Sequence, residues 1–289
     1  MFRTCLTIIL LAVILAANNF AGRAHDSQTR ERRTRDARVR QLITLTDTQK
    51  IVDIAFTTDG RFVATTSADQ SKRWWNAETG VESTAPGSAL ADNTVARKPC
   101  AMYGDRDPFL AQLPNGKEFS AVSRSRDNSL LLTQKSVDES SSIYGWFTLQ
   151  IWDTATAQLR MTSEKLRFTC AVYWNPDGES LIVVPYARNQ TRLVDARTGR
   201  VKAKLTHEGC TGDSLFGGGG CEPWVFSSDG GLGIKQTSPI KIWNTKTGEL
   251  ITELKNTAPP AVFSPANSRV VATLSRDSRK VTLWEVVGK

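Results

Sequence analysis

From residue 41 onward the apolar positions alternate with polar ones in short runs, and no stretch carries the three-to-four spacing of a long amphipathic helix. Runs such as "IVDIAF", "FVATTS", "SLIVVP" and "VVATLS" are rich in β-branched residues and bounded by Gly, Asp, Asn and Pro. Side chains of that kind fit a pleated, half-buried surface, so the pattern predicts an all-β array of short strands. Between paired runs stand Asp59-Gly60, Asp127-Asn128, Asp177-Gly178, Asp229-Gly230 and Ala266-Asn267. These residues tolerate the positive φ that a tight hairpin demands.

The unit repeats. After each strand-turn-strand comes a third alternating strand that closes on an anchor and an acidic or amide residue: "SKRWWNAETG", "LQIWDTATA", "TRLVDARTG", "IKIWNTKTG" and "VTLWEV". The anchors Trp75, Trp152, Val194, Trp243 and Trp284 are 77, 42, 49 and 41 residues apart. This pattern resembles the WD-repeat β-propeller family, whose period is about 40 to 45 residues and whose blades are four antiparallel strands. The resemblance spans residues 43–289 and implies an all-β propeller. Five units are legible and six blades are expected, within a range of five to seven, because "KPCAMYGDRDPFLAQLPNG" in the long first interval reads as a degenerate sixth unit. A long inserted loop over residues 81–118 is the rival. The last unit stops after its third strand, and "QLITLTD", residues 41–47, would supply the missing fourth and close the ring.

The family's blades often link the third-strand Trp to a hydroxyl, a turn Asp and a His. Here Asp69 with Ser67 and Trp75, and Asp277 with Ser275 and Trp284, match parts of that network. Trp152 and Trp243 are structural anchors in the same sense. No unit has the full set, since the fourth reads "TSPIK", the third has Asn189, and His207 is the one His beyond residue 40. Packing is therefore expected to rest on apolar burial. Trp74 falls in phase with Ile151, Leu193, Ile242 and Leu283, so it is expected in the core.

Residues 1–24 differ: one Arg, an apolar run from Cys5 to Ala17, then small and polar residues ending at Ala24. That layout predicts a secretory signal peptide and an exported, periplasmic or secreted protein. The alternative is a membrane anchor through residues 4–22, which the six Arg in "RERRTRDARVR" favour by their position just after the apolar run. Residues 25–40 form an Arg-rich linker and residues 41–289 the propeller.

The net charge of +8 suggests a polyanion partner until it is divided. Residues 1–40 hold eight basic and three acidic side chains, leaving 29 against 26 for the rest. The reading is therefore no nucleic-acid partner, and membrane contact only through the N-terminal segment.

"CTGDSLFGGGGC", residues 210–221, invites a catalytic reading. A GDSL-type nucleophile at Ser214 needs a downstream His, and none follows it. The four glycines precede Cys, Glu and Pro rather than Lys and a helix, which is not a phosphate loop. For an exported chain, Cys210 and Cys221 are the candidate disulfide closing this loop. No Cys pair has the spacing of a zinc site.

No catalytic residue, cofactor or metal site is expected. A non-catalytic scaffold with a protein partner is the leading expectation, with a surface among residues 81–117, 135–147 and 206–223. An extracellular carbohydrate-binding or enzymatic propeller is the alternative.

Overall fold

The structure, a computed structural model, describes residues 38–91, 107–137, 146–167, 169–185, 191–205 and 224–287. The chain divides into a main unit, Gln41–Val286, and a small one of the two termini. In the small unit the described residues meet through one bond, from the Val287 N–H to the Arg38 carbonyl at 2.8 Å.

The main unit is all-β, with five antiparallel sheets, each built from one repeat. Sheet 1 runs β2 (Ile51–Phe56), β3 (Phe62–Ser67), β4 (Lys72–Asn76) and β5 (Glu82–Ser83). Sheet 2 runs β6 (Phe119–Arg124), β7 (Leu130–Ser136), β8 (Trp146–Asp153) and β9 (Leu159–Thr162), and the short β10 (Leu166–Arg167) also pairs with β8. Sheet 3 holds β11 (Thr169–Trp174), β12 (Ser180–Pro185), β13 (Arg192–Asp195) and β14 (Val201–Lys204). Sheet 4 holds β15 (Trp224–Phe226), β16 (Leu232–Lys235), β17 (Ile240–Asn244) and β18 (Leu250–Leu254). Sheet 5 takes β19 (Thr257–Phe263), β20 (Val270–Ser275) and β21 (Lys280–Val286), and its fourth strand is β1 (Val39–Thr46) from the other end of the chain. There Thr44 and Thr282 face each other with their hydroxyls 3.4 Å apart.

Two-residue alternation explains how these sheets pack. Each presents apolar side chains on both faces, and neighbouring sheets bury them against one another. Leu45, Ile54, Val63, Trp75, Leu274 and Leu283 form one cluster between sheets 5 and 1. Leu132, Ile151, Met161, Leu181, Val183 and Val194 do the same between sheets 2 and 3, and Tyr173, Leu193, Leu205, Trp224 and Trp243 between sheets 3 and 4. Burying one such side chain contributes roughly 1.5–3 kcal/mol. In all three clusters the third-strand anchor meets the fourth strand of the preceding sheet, or the residue just after it: Trp75 with Leu45, Val194 with Met161, Trp243 with Leu205.

Sheet 2 breaks the rule. Its anchor Trp152 is covered by Phe109, Leu110 and Leu113 from a 3-10 turn, Pro108–Gln112, instead of by a strand. Asp107 caps that turn through the Phe109 N–H and holds Arg124 by two bonds, Nε at 2.7 Å and Nη2 at 2.8 Å. A second 3-10 turn, Gly116–Glu118, leads into β6. Of residues 98–116, expected to hold a degenerate sixth unit, 98–106 lie outside the described residues, and the described part forms the 3-10 turn Pro108–Gln112, which Pro108 and this cap favour; among the described residues there are five sheets.

Trp74 also departs from expectation. Its counterparts Ile151, Leu193, Ile242 and Leu283 are at most 1% exposed, whereas Trp74 is half-exposed. Its neighbours in register are Ala55, Ala64 and Ser83, small side chains that leave its ring uncovered.

Candidate functional site

One end of the sheets is built from tight turns that cap themselves. Between first and second strands, Thr57 donates to Asp59 at 2.6 Å and accepts the Phe62 N–H at 3.0 Å. Ser125 with Asp127 and Leu130, and Ser227 with Asp229 and Leu232, repeat this device. In sheet 3 the Asn175 amide donates to Asp177 at 2.7 Å. The hydroxyl holds Asp59 below the usual carboxylate range, helped by the Arg61 N–H, and Ser125 with the Ser129 N–H does so for Asp127.

The acidic or amide residue after four of the five anchors is the second cap. Asn76, Asp153, Asp195 and Asn244 each accept two N–H groups of the turn that follows, at 2.7–3.1 Å. A side-chain oxygen that mimics a backbone acceptor explains why either Asp or Asn serves. Asp153 is lowered to about 2, first by Arg160 at 2.6 Å and then by the Thr156 N–H.

The first kind of turn also joins sheet to sheet. Asn175 donates to the Gly230 carbonyl at 2.9 Å, Ser268 donates to Asp229 at 3.0 Å, and a Cβ on Gly60 would meet Ala266 at 2.6 Å. The turns of sheets 3, 4, 5 and 1 therefore form one continuous row. Sheet 3 sits on sheet 2 in the same phase, with Gly199 against Thr162 and Ser163 as Gly248 is against Ala203.

Strand alternation then puts the second-to-third and fourth-to-first connections at the opposite end. The strand ends Ser136 and Trp146, Pro185 and Arg192, and Lys204 and Trp224 lie there, with nine, six and nineteen residues of sequence between them, against five-residue turns such as 57–61, 125–129 and 175–179 at the capped end. Of the stretches expected to form a surface, all of 206–223, residues 138–145 of 135–147 and residues 92–106 of 81–117 lie outside the described residues. Thr58 bonds Ala89, Ser88 bonds Asp59 at 3.0 Å, and Leu90 bridges to Thr57, so residues 88–91 fold under the capped end of sheet 1. Residues 107–118 lie on sheet 2.

The anchors are partly polar, but not through the predicted partners. Trp75, Trp152 and Trp284 donate their indole N–H to Thr65, Thr133 and Thr273 at 2.9–3.1 Å, one alternation before Ser67 and its equivalents. Asp69 instead bonds Ser71 twice and Asp277 bonds Ser275, each closing its own turn. The Thr65 hydroxyl in turn donates to Asp47, a buried carboxylate 3.4 Å away that sequence reasoning missed. Its signal was a polar residue directly after an apolar strand. In sheet 4 the Thr position holds Lys235, and Trp243, though buried, has no bond from its indole nitrogen among the described residues.

No family model matches the chain, and no curated protein matches it in sequence. Among the described residues no three His, Cys, Asp or Glu side chains group as metal ligands, and no helix is long and apolar enough to cross a membrane. The leader 1–24, Ser214, His207 and the candidate disulfide Cys210–Cys221 lie outside the described residues.

Proposed function

We propose that the chain is a non-catalytic interaction scaffold of the WD-repeat propeller kind, its five sheets serving as blades around one axis. The strand β1 closes the ring on β21, and residues 107–118 serve as the wedge between sheets 2 and 1 where another family member would place a further fourth strand. The partner is a protein, held at the end that carries residues 137–145, 186–191 and 205–223. Export through residues 1–24 would place that partner outside the cytoplasm, with Cys210–Cys221 stapling the longest of these connections.

The observation that carries this reading is that the three longest gaps between successive strands of sheets 2 to 4, after Ser136, Pro185 and Lys204, all open at the same end. Self-capped turns leave few free polar groups, whereas long connections on a rigid support can vary in sequence without disturbing the core. The test replaces residues 138–145 and 206–223 by Gly-Ser turns and cross-links wild type and variants to proteins of the native source. Cross-links at these connections that disappear in the variants support the proposal. Cross-links confined to the capped end overturn it.

A further inference from the structure

The positive surplus of residues 41–289 comes from one stretch of the sequence. Of the 29 basic and 26 acidic residues in 41–289, eight and four fall between residues 164 and 205, leaving 21 and 22 for all the rest. Five of the eight, Arg192, Arg197, Arg200, Lys202 and Lys204, stand on sheet 3 from β13 to the end of β14; Lys165 and Arg167 are at β10 of sheet 2, and Arg188 lies outside the described residues. The outermost strand of sheet 3, β14, carries Lys202 and Lys204 on one face, both exposed, while Ala203 packs the other way against Gly248 of sheet 4.

Arg192 on β13 stands directly opposite Lys204 in register, and Arg200 is exposed where β14 begins. Like charges set opposite each other across a strand pair are destabilising. A lysine on an edge strand alone is explained by protection against strand addition, but that protection does not require an Arg facing it. None of these four makes an ion pair among the described residues. Of the carboxylates beside them, Asp195 caps its turn and also feels the charge of Lys202, and Glu164 accepts the Val201 N–H at 3.3 Å.

We infer that the outer edge of sheet 3 is a second docking surface, and that its occupant is an extended acidic segment of a protein partner. Along a strand, side chains two apart are about 6.5–7 Å apart on one face. Lys202 and Lys204 are two apart on β14, beside a register shift against β13, and Asp or Glu at alternate positions of an extended chain repeats at the same sequence interval. Arg192 adds a planar fork suited to a carboxylate. This surface lies outside the long connections, and it rests on the scaffold reading for the partner being a protein.

The test uses the full chain and a fluorescent peptide of alternating Glu and Thr, ten residues long, read by anisotropy. Wild type binds it, more weakly as salt rises. The triple variant R192Q/K202Q/K204Q binds about tenfold more weakly, as expected for loss of two exposed charges and one half-buried one. The double variant K202Q/K204Q, confined to exposed positions, gives an intermediate loss and guards against misfolding of the triple. Equal binding by wild type and double variant overturns the proposal. So does equal binding of a peptide with its five Glu in one block, or tighter binding of a single-stranded oligonucleotide of equal charge. A chain with residues 138–145 and 206–223 replaced separates the two claims. If it still binds the peptide but wild type captures no native protein at those connections, the scaffold reading fails and the charge match stands.

Discussion

Replacing Thr65 with Val tests the polar link beneath the first anchor. Val keeps the volume and removes only the hydroxyl, which accepts the Trp75 indole N–H at 3.1 Å and donates to Asp47 at 3.4 Å. Trp75 is 6% exposed and Thr65 fully buried, so water cannot replace the lost acceptor. Leaving one buried donor unpaired costs about 1–3 kcal/mol. The second carboxylate oxygen of Asp47 also loses the one bond it has in the structure, while the first keeps the Gln49 N–H at 3.0 Å. Together these give an expected loss of about 2–3 kcal/mol. At about 2–4 °C per kcal/mol for a domain of this size, Tm falls by roughly 4–12 °C. Urea unfolding followed by tryptophan fluorescence measures the loss, with an unchanged slope showing that the unfolded state is unaltered. Thr65→Ser keeps the hydroxyl and should recover most of it. A Val variant within about 0.5 kcal/mol of wild type, or a Ser variant as unstable as Val, would refute the reasoning.

Three further outcomes follow from the turns and the closing strand. Gly199 and Gly178 both have φ near +70°, but a Cβ on Gly199 would meet Ser163 and Thr162 at 2.6 Å, whereas one on Gly178 meets nothing within 4 Å. Gly178→Ala should therefore cost about 1 kcal/mol and Gly199→Ala at least twice that, measured by equilibrium unfolding. Asp153 has its folded pKa depressed to about 2 from 3.8, so its contribution is present above pH 4 and is lost as pH falls toward 2. Carbon-detected NMR titration should place its midpoint near 2, and Asp153→Asn, which copies Asn76 and Asn244, should keep the turn while flattening that acid limb. Finally, Cys at positions 44 and 282, whose hydroxyls now lie 3.4 Å apart, should form a disulfide under mild oxidation, and its absence by mass spectrometry would argue against the closing strand.

The hairpins were legible because their chemistry is local. Asp229-Gly230 needs only its neighbours to make a turn, and alternation in "IKIWN" places Ile242 and Trp243 on opposite faces without knowledge of the rest. Five sheets and the pairing of the first strand with the last followed from phase alone. What depended on neighbours in space was not legible. Trp74 looks like core until its register partners prove to be Ala64 and Ser83. Residues 107–118 look like strands until Asp107 finds Arg124, 17 residues on. The true partners of the anchors, Thr65, Thr133 and Thr273, sit one alternation from the hydroxyls the family pattern pointed to. The basic edge was hidden by averaging, because +3 over residues 41–289 says little until Arg192 and Lys204 are set opposite each other.

A crystal structure of the exported or full-length chain is the most direct test of the central claim. The account predicts five sheets around one axis, β1 beside β21, and residues 107–118 as a helical wedge on Trp152. A sixth four-stranded sheet drawn from residues 92–118, or a first strand paired with a second molecule, would contradict it.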